Sequence, residues 1–456
     1  MKKLSNDDLI IKNARRIHLV GIGGSGMCPI AELLLSKGYA VSGSDRVQSD
    51  NTETLKRLGA KVFIGQKPEN IYGADIVCYS AAVHPNNPEL AAAKEKGIPT
   101  FERSELLGAI TRFYDNTIGV AGTHGKTTVS SMITQILLLN KKNPSAVIGG
   151  KLPIAGSACV SGSSETLVCE SCEFVDSFLK FSPDIAVLLN IDDDHLDYFK
   201  TMENLTASFG KFCGKAKTCY FNGDDPLCKK AVSGINSKVV SYGFGKDNFY
   251  HPENIVPGKL GFSFDVVRDG KVAGRLKMSV PGRHNIYNGL VSFAVCFDEG
   301  VSPDGINAAL EKFTGAGRRF EFIGEKNGVR VVDDYAHHPT EIAATLSAAK
   351  SLDCKKVIAV FQPYTYSRVA LLKEDMIKSL SLADKVFLTP IVASREENIY
   401  GVKSEDIAEK LPDGKVIADY ERLATEMAAA ANAGDIIITM GAGDIFKVAR
   451  IILEKL

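Results

Sequence analysis

The stretch TIGVAGTHGKTTVSSMITQILLLN, residues 117–140, decides the fold class. An apolar run leads into a loop of small residues, and an apolar stretch of helical character follows. Strand, glycine loop and helix in that order are the context a phosphate loop requires. Glycines let backbone N–H groups close around phosphate oxygens, and the helix N-terminus adds partial positive charge. In GTHGKTT, from Gly122 through Thr123, His124 and Gly125 to Thr128, Lys126 can reach the β- and γ-phosphates. The Thr127 hydroxyl can ligate Mg2+. The strict spacing G-x-x-x-x-G-K-[ST] is not met, because Val120 stands where its first glycine would be.

A second glycine loop lies upstream. In VGIGGSGMC, residues 20–28, Gly21, Gly23 and Gly26 spell G-x-G-x-x-G directly after the apolar run IHLV. Asp45 ends the next apolar run. Taken alone, this pattern suits NAD and other diphosphates equally. Two phosphate loops on separate α/β segments are unlike a simple dehydrogenase. They point to two phosphorylated substrates, with ATP at the second loop. A NAD-linked oxidoreductase would leave GTHGKTT idle, and a nucleotide switch would leave the first loop unexplained.

Mg2+ needs hard oxygen ligands. Glu170 and Glu173 follow the apolar run TLVC, and DIAVLLNI runs into Asp192, Asp193, Asp194, His195 and Asp197. Acidic residues just past parallel strand ends gather at the same sheet edge as the phosphate loop.

Apolar runs alternate with helical stretches along the whole chain, which argues for parallel βαβ units. IHLVGIG, AVSGSD, KVFIG and ADIVCYS form a first segment. TIGVAG, TLVCE, DIAVLLNI and KTCYFN belong to a second, which closes with a hairpin-like stretch from Lys259 to Val280 turning at Asp269-Gly270. VRVVDDY, KVIAVFQ, DKVFLTP and DIIITM form a third, beginning near Gly317. The expectation is three α/β domains joined by short links.

The 456 residues exceed one ordinary core. Lys+Arg and Asp+Glu are equal at 54 each, which gives no broad electrostatic grip on nucleic acid. No run approaches the roughly 20 apolar residues of a membrane span, and the start, MKKLSNDDLIIKNARR, has no apolar signal core. Ten scattered cysteines in so long a chain read as reduced and cytoplasmic. Cys169 and Cys172 form one C-x-x-C, but no second ligand pair is spaced for zinc.

With these motifs in view, the sequence resembles the Mur ligases, the ATP-dependent amino-acid ligases of peptidoglycan synthesis. The likeness rests on GIGGSGM (21–27), AGTHGKTT (121–128), NIDDDHLD (190–197), PGRHNIYN (281–288), GRRFE (317–321), DDYAHHPTE (333–341) and GDIIITMGAGDI (434–445), in that order. It implies a Rossmann-like domain for the UDP substrate over 1–115, a central P-loop ATPase-type domain over 116–316, and a Rossmann-like domain for the amino acid over 317–456. Within the family, GIGGSGM is closest to the member that joins L-alanine to UDP-N-acetylmuramate. The chief rival is the recycling ligase that attaches a whole tripeptide to the same sugar.

The resemblance also implies roles. The first loop, with Gly24 and Ser25 among its glycines, would wrap the diphosphate of UDP-N-acetylmuramate rather than NAD. Ser44 and Asp45 would meet the uridine, and Ser80 and His84 would form another substrate-facing loop. Lys126, Thr127, Glu173 and His195 match the phosphate- and metal-side residues for ATP and one or two Mg2+ ions. Asn285 and Asn288, one helical turn apart, would read the adenine. Arg319 and Asp334 would reach ATP from the third domain. Tyr335, His337 and Arg368 would stand near the reacting carboxylate and the incoming amine. The sequence departs from its relatives at Cys172 and Val175, which replace carboxylates, and at Asp192, where many carry Glu. It departs again at Tyr364 and Thr365, where His and Arg occur in relatives. Some relatives carry a carbamylated lysine at a second metal, and Lys211 falls in the corresponding region without matching its position.

Overall fold

A computed structural model describes residues 2–456 except Lys259, Arg395, Pro412 and the side chain of Asp197. By compactness the chain divides into two units. One is Met1–Glu253 with Asp265–Leu276 and Asn288–Leu310; the other is Asn254–Phe264, Lys277–Tyr287 and Glu311–Leu456.

The first unit holds the five-stranded N-terminal sheet, ordered Lys61–Ile64, Ala40–Asp45, Arg16–Val20, Ile76–Tyr79, Thr100–Glu102. All neighbours are parallel, with Val20 opposite both Ser44 and Tyr79. The strand order reverses around Arg16–Val20, so the crevice outside its C-terminal end is a topological switch point. The GIGGSGM loop leaves that strand end, and Ser80–His84 leaves the neighbouring one.

A ten-stranded sheet follows, ordered Lys271–Lys277, Phe262–Arg268, Tyr250–Pro257, Lys238–Tyr242, Thr218–Asn222, Ile185–Leu188, Asn116–Ala121, Thr166–Glu170, Ser145–Leu152, Ser157–Val160. Asn116–Ala121 lies between Ile185–Leu188 and Thr166–Glu170, parallel to both. Its neighbours' C-terminal ends therefore deliver Glu170 and the NIDDDH loop to the edge where GTHGKTT begins. Ile185–Leu188 is buried throughout, as a strand covered on both faces should be.

The expected hairpin is present as Phe262–Arg268 and Lys271–Lys277, with Asp269 and Gly270 both at positive φ. Four strands, Ser145–Leu152, Ser157–Val160, Lys238–Tyr242 and Tyr250–Pro257, carried too little apolar pattern to be expected. The first of these is punctuated by Gly149 and Gly150.

The N-terminal and central sheets, expected as two of three α/β domains joined by short links, share one packed core. One continuous core runs from Ile11 to Val232 through both. A Cβ on Gly108 would lie 2.5 Å from the Lys180 carbonyl, so the helix Arg103–Arg112 closes directly onto the central domain. Arg112 adds a hydrogen bond from Nη1 to Lys180 O at 2.8 Å.

The second unit contains a six-stranded sheet, ordered Glu321–Lys326, Val329–Asp334, Ile436–Met440, Val357–Phe361, Lys385–Leu388, Lys415–Val416. Only the first pair is antiparallel. Ile436–Met440 and Val357–Phe361 are wholly buried. Asp334 and Phe361 both pair with Met440, so DYAHHPTE, QPYTYSR and GAGDI start from one edge of this sheet.

Candidate active site

GTHGKTT is a formed phosphate loop. Gly125 caps the helix Lys126–Leu139 at φ 86°, a left-handed conformation that glycine adopts without strain. The NIDDDH loop braces it. Thr123 N donates to Asn190 O at 3.1 Å, His124 N donates to Asn190 Oδ1 at 2.8 Å, and Asp192 N donates to Thr123 Oγ1 at 2.9 Å. His124 Nε2 stands 3.0 Å from Asp192 Oδ2. Asp192 thus supports the loop itself.

Lys126 is tied down by acceptors. Its ammonium donates to Gly122 O at 2.5 Å and Thr123 O at 3.0 Å, and pairs with Glu173 Oε2 at 2.9 Å. Burial alone would pull its pKa down. The carboxylates of Glu173 and Glu170 outweigh burial and hold it above the usual lysine range. Thr127 is buried, and its hydroxyl donates to Glu170 Oε2 at 2.8 Å; the Gly149 N–H donates to the same oxygen at 2.8 Å. Thr128, half-buried, completes the helix's first turn. Sequence reasoning offered Glu170 to Mg2+ only as one of several acidic residues, and the resemblance gave it no matched position; the structure sets it against Thr127. Its signal was its place directly at a strand end beside the phosphate loop.

His195 opens the short helix Leu196–Phe199 at φ 59°, with its ring 4.8 Å from that of Phe174, the neighbour of Glu173. Its Nε2 lies 3.6 Å from Asp194 Oδ2. Asp193 is exposed, and the Asp197 side chain lies outside the described residues. Cys169 and Cys172 are free thiols, pushed up by burial to about 12 and about 11. Thiols held protonated are poor metal ligands. Lys211 is exposed on the helix Met202–Cys213.

At the first loop, the Gly23 N–H donates to Asp45 Oδ2 at 2.9 Å. A Cβ on Gly23 would meet Thr52 Cγ2 at 2.8 Å, so only glycine fits. Gly21 takes φ 82°, and Gly24, Ser25 and Gly26 are exposed. Arg103 brings Nη1 to 3.3 Å from where a Cβ on Gly26 would sit, a cation that no motif announced. Ser80 is half-buried and accepts from Ala82 N, while His84 is exposed and its Nδ1 accepts from Asn86 N. Ser44 departs from expectation. It is fully buried, and its hydroxyl donates to the buried Glu89 at 2.6 Å, where Asn70 also donates. A side chain so committed does not face a uridine.

On the helix His284–Asp298, Asn288 is buried with Oδ1 3.2 Å from where a Cβ on Gly125 would lie. It therefore stands against the phosphate loop. Asn285 is buried and donates through Nδ2 to Pro281 O at 2.6 Å.

In the second unit, Asp334 is buried and accepts from Phe320 N at 2.6 Å and Ala336 N at 2.7 Å. Burial raises its pKa to about 6 against the lowering influence of Arg319. Arg319 lies 5.0 Å over the Tyr335 ring and 3.9 Å from Glu341. The other arginine of GRRFE, Arg318, is the structural one. It pairs with Asp333 at 3.1 Å and donates to the carbonyls of Gly441 and Gly443. His337 Nδ1 lies 3.0 Å from Tyr335 O and 3.3 Å from Glu341 Oε2. Arg368 is half-buried in the first turn of the helix Tyr366–Leu380, and the structure brings it into the same unit as His337.

The comparisons agree across the chain. The family profile described as "Mur ligase family, catalytic domain" matches residues 16–115, "Mur ligase middle domain" matches 120–296, and "Mur ligase, glutamate ligase domain" matches 318–443. The UDP-N-acetylmuramate–L-alanine ligase of Caldicellulosiruptor saccharolyticus is 43% identical over 449 residues, covering 96% of this chain and 98% of that protein. That of Alkaliphilus metalliredigens is 42% identical over 448 residues, covering 97% of each. The solved structure of UDP-N-acetylmuramate-alanine ligase MurC from Thermotoga maritima superposes with a TM-score of 0.84 at 28% identity, covering 96% of this chain and 98% of that one. With all three of its domain profiles matched in order and close relatives matched almost end to end, this chain belongs to the Mur ligase family.

Proposed function

We propose that the chain joins L-alanine to the lactyl carboxylate of UDP-N-acetylmuramate in peptidoglycan precursor synthesis, consuming ATP and releasing ADP and phosphate. The observation that carries this reading is the end-to-end likeness to ligases of that name. Two formed phosphate loops, one per nucleotide substrate, support it. The domain division at 1–115, 116–316 and 317–456 and a cytoplasmic location, where ATP and nucleotide sugars are available, belong to the same proposal.

A carboxylate resists an amine because it is anionic and lacks a leaving group. Attack of the lactyl carboxylate on the γ-phosphate gives an acyl phosphate and ADP, and the neutral amine of L-alanine then displaces phosphate. Lys126 leaves Glu173 to neutralise charge on the transferring phosphoryl group. The GIGGSGM loop holds the UDP diphosphate with its backbone N–H groups, and Arg103 adds a guanidinium there. Asp45 meets the nucleoside from the adjoining strand end, and Ser80 and His84 line the neighbouring one. Asn285 and Asn288 offer amides to the adenine. Arg319 and Asp334 serve ATP from the C-terminal domain.

The donors at the ATP loop fit Mg2+: the Thr127 hydroxyl bonds the Glu170 carboxylate, Glu173 pairs with the neighbouring Lys126, and the thiols of Cys169 and Cys172 are held protonated; His195 would join them as the family's metal-side residue. An ion held by these residues would supply positive charge at the transferring phosphate. His337 is the base for the amine. Its Nδ1 lies against Tyr335 O and Glu341 Oε2, which orient the ring. Arg368 holds carboxylate charge nearby.

The decisive assay supplies ATP, Mg2+ and UDP-N-acetylmuramate and scans amino acids and the tripeptide for ADP release. L-alanine should drive turnover. Turnover with the tripeptide alone, or none with any acceptor, would overturn the reading.

A further inference from the structure

Both phosphate loops leave the C-terminal ends of their strands. A cavity of about 260 Å³ lies at the opposite ends of the same strands. Its lining includes Lys12 at the end of the helix Asn6–Asn13, and Leu34 and Lys37 at the end of the helix Cys28–Ser36. Tyr114, just ahead of Asn116–Ala121, and Glu165, just ahead of Thr166–Glu170, also line it. Strands of five or six residues at ~3.3 Å each put it about 15–20 Å from either loop. It is therefore distinct from the proposed active site, and the helix Cys28–Ser36 spans the two ends.

The lining has three chemistries. Its floor is apolar and buried, from Leu34 and Ile110. Two ammonium groups stand over aromatic rings: Lys12 Nζ is 5.7 Å from the Phe113 centroid and Lys37 Nζ is 5.3 Å from that of Tyr114. Lys37 also donates to Gly162 O at 3.0 Å. Tyr114 itself is 7% exposed, and its hydroxyl is buried without a hydrogen-bond partner. That oxygen lies behind the wall, so what the cavity presents is the apolar floor, the aromatic rings and the two ammonium groups.

We propose that this cavity is a second small-molecule site, taking an aromatic monocarboxylate. The rings and leucines take the planar body, and Lys12 and Lys37 take the carboxylate. Glu165 offsets one of the two positive charges, which suits a singly charged anion.

The test uses the full chain with 2-naphthoate as probe, by calorimetric titration, and neutral 2-naphthalenemethanol as control. Saturable one-to-one binding is expected, undisturbed by ATP or UDP-N-acetylmuramate and preferred over the neutral alcohol. Lys12→Gln with Lys37→Gln, both exposed changes, should weaken it roughly tenfold. Leu34→Trp, which fills the cavity, should abolish it. Absence of saturable binding, displacement by either nucleotide, or undiminished binding in the lysine double variant would each overturn the proposal.

Discussion

Glu173→Gln separates the observed pairing of Glu173 with Lys126 from the metal role proposed for it. In the ligand-free protein its carboxylate holds Lys126 at 2.9 Å, with both groups largely buried. At that separation and an effective dielectric of ~20, the gross attraction is about 6 kcal/mol. Desolvation of both charges offsets much of it, and removing one partner of a buried pair typically costs about 3–5 kcal/mol. Here Lys126 keeps two carbonyl acceptors, Gly122 O and Thr123 O, so the unpaired ammonium is partly satisfied. About 2 kcal/mol is a reasonable residue, to be recovered when a phosphate replaces the lost carboxylate. The variant should therefore bind ATP without Mg2+ roughly 30-fold more tightly than the parent. With Mg2+, the loss of an anionic oxygen should raise the metal concentration for half-maximal rate by roughly 10–100-fold. Calorimetry in chelator measures the first quantity and a Mg2+ titration of ADP release the second. Weaker or unchanged metal-free ATP binding would refute the view that Glu173 competes with phosphate for Lys126.

Lys126→Ala should cut turnover by roughly 3–4 kcal/mol of transition-state stabilisation while sparing UDP-sugar binding; near-normal turnover would remove the loop from the chemistry. Gly23→Ala should impair UDP-N-acetylmuramate binding in calorimetry, because its Cβ would sit 2.8 Å from Thr52 Cγ2 and 2.9 Å from Asp45 Oδ2; full affinity would mean the loop does not touch the diphosphate. Asp334 gives a pH signature. Its folded pKa, about 6, is above the unfolded 3.8, so its stabilising contribution is complete below the unfolded value and is lost as pH rises through about 6. Unfolding measured between pH 4 and 7 should show a decline on the order of 3 kcal/mol that is absent in Asp334→Asn, and parallel profiles would refute it. UDP-N-acetylmuramate carrying heavy oxygen in the lactyl carboxylate should yield labelled inorganic phosphate; label in AMP would mean adenylation instead of an acyl phosphate.

What was legible in the sequence was local. A phosphate loop is built from backbone N–H groups within a few residues, so GIGGSGM and GTHGKTT announce themselves and the structure forms both. Acidic residues at strand ends were legible for the same reason, since parallel strands bring their C-terminal ends to one edge. What was hidden depends on partners far along the chain. Ser44 looked like a substrate contact because it ends a strand beside Asp45, but its hydroxyl is claimed by Glu89. Arg103 reaches the first loop from a helix with no motif, and Glu341 fixes His337 from the next helical turn. Arg318 and Arg319 are adjacent and chemically alike, and only tertiary contacts assign one to the sheet edge and leave the other over Tyr335.

The two loops also share a feature that neither motif contains. In each, a carboxylate from elsewhere in the chain occupies a donor that a phosphate would use: Asp45 on the Gly23 N–H, Glu173 on the Lys126 ammonium. The donors must converge to bind phosphate, and converging donors without an anion repel one another and lose hydration. An internal carboxylate relieves both penalties and keeps the loop in its binding shape. It also sets a threshold, because an arriving ligand gains only the difference between its own phosphate and the carboxylate it displaces. A nucleotide diphosphate or triphosphate carries more charge and more oxygens than one side chain, so it exceeds that threshold, whereas a singly charged anion does not. Selectivity for the two large phosphorylated substrates over small cellular anions then follows from the pairing of each loop with its own acid.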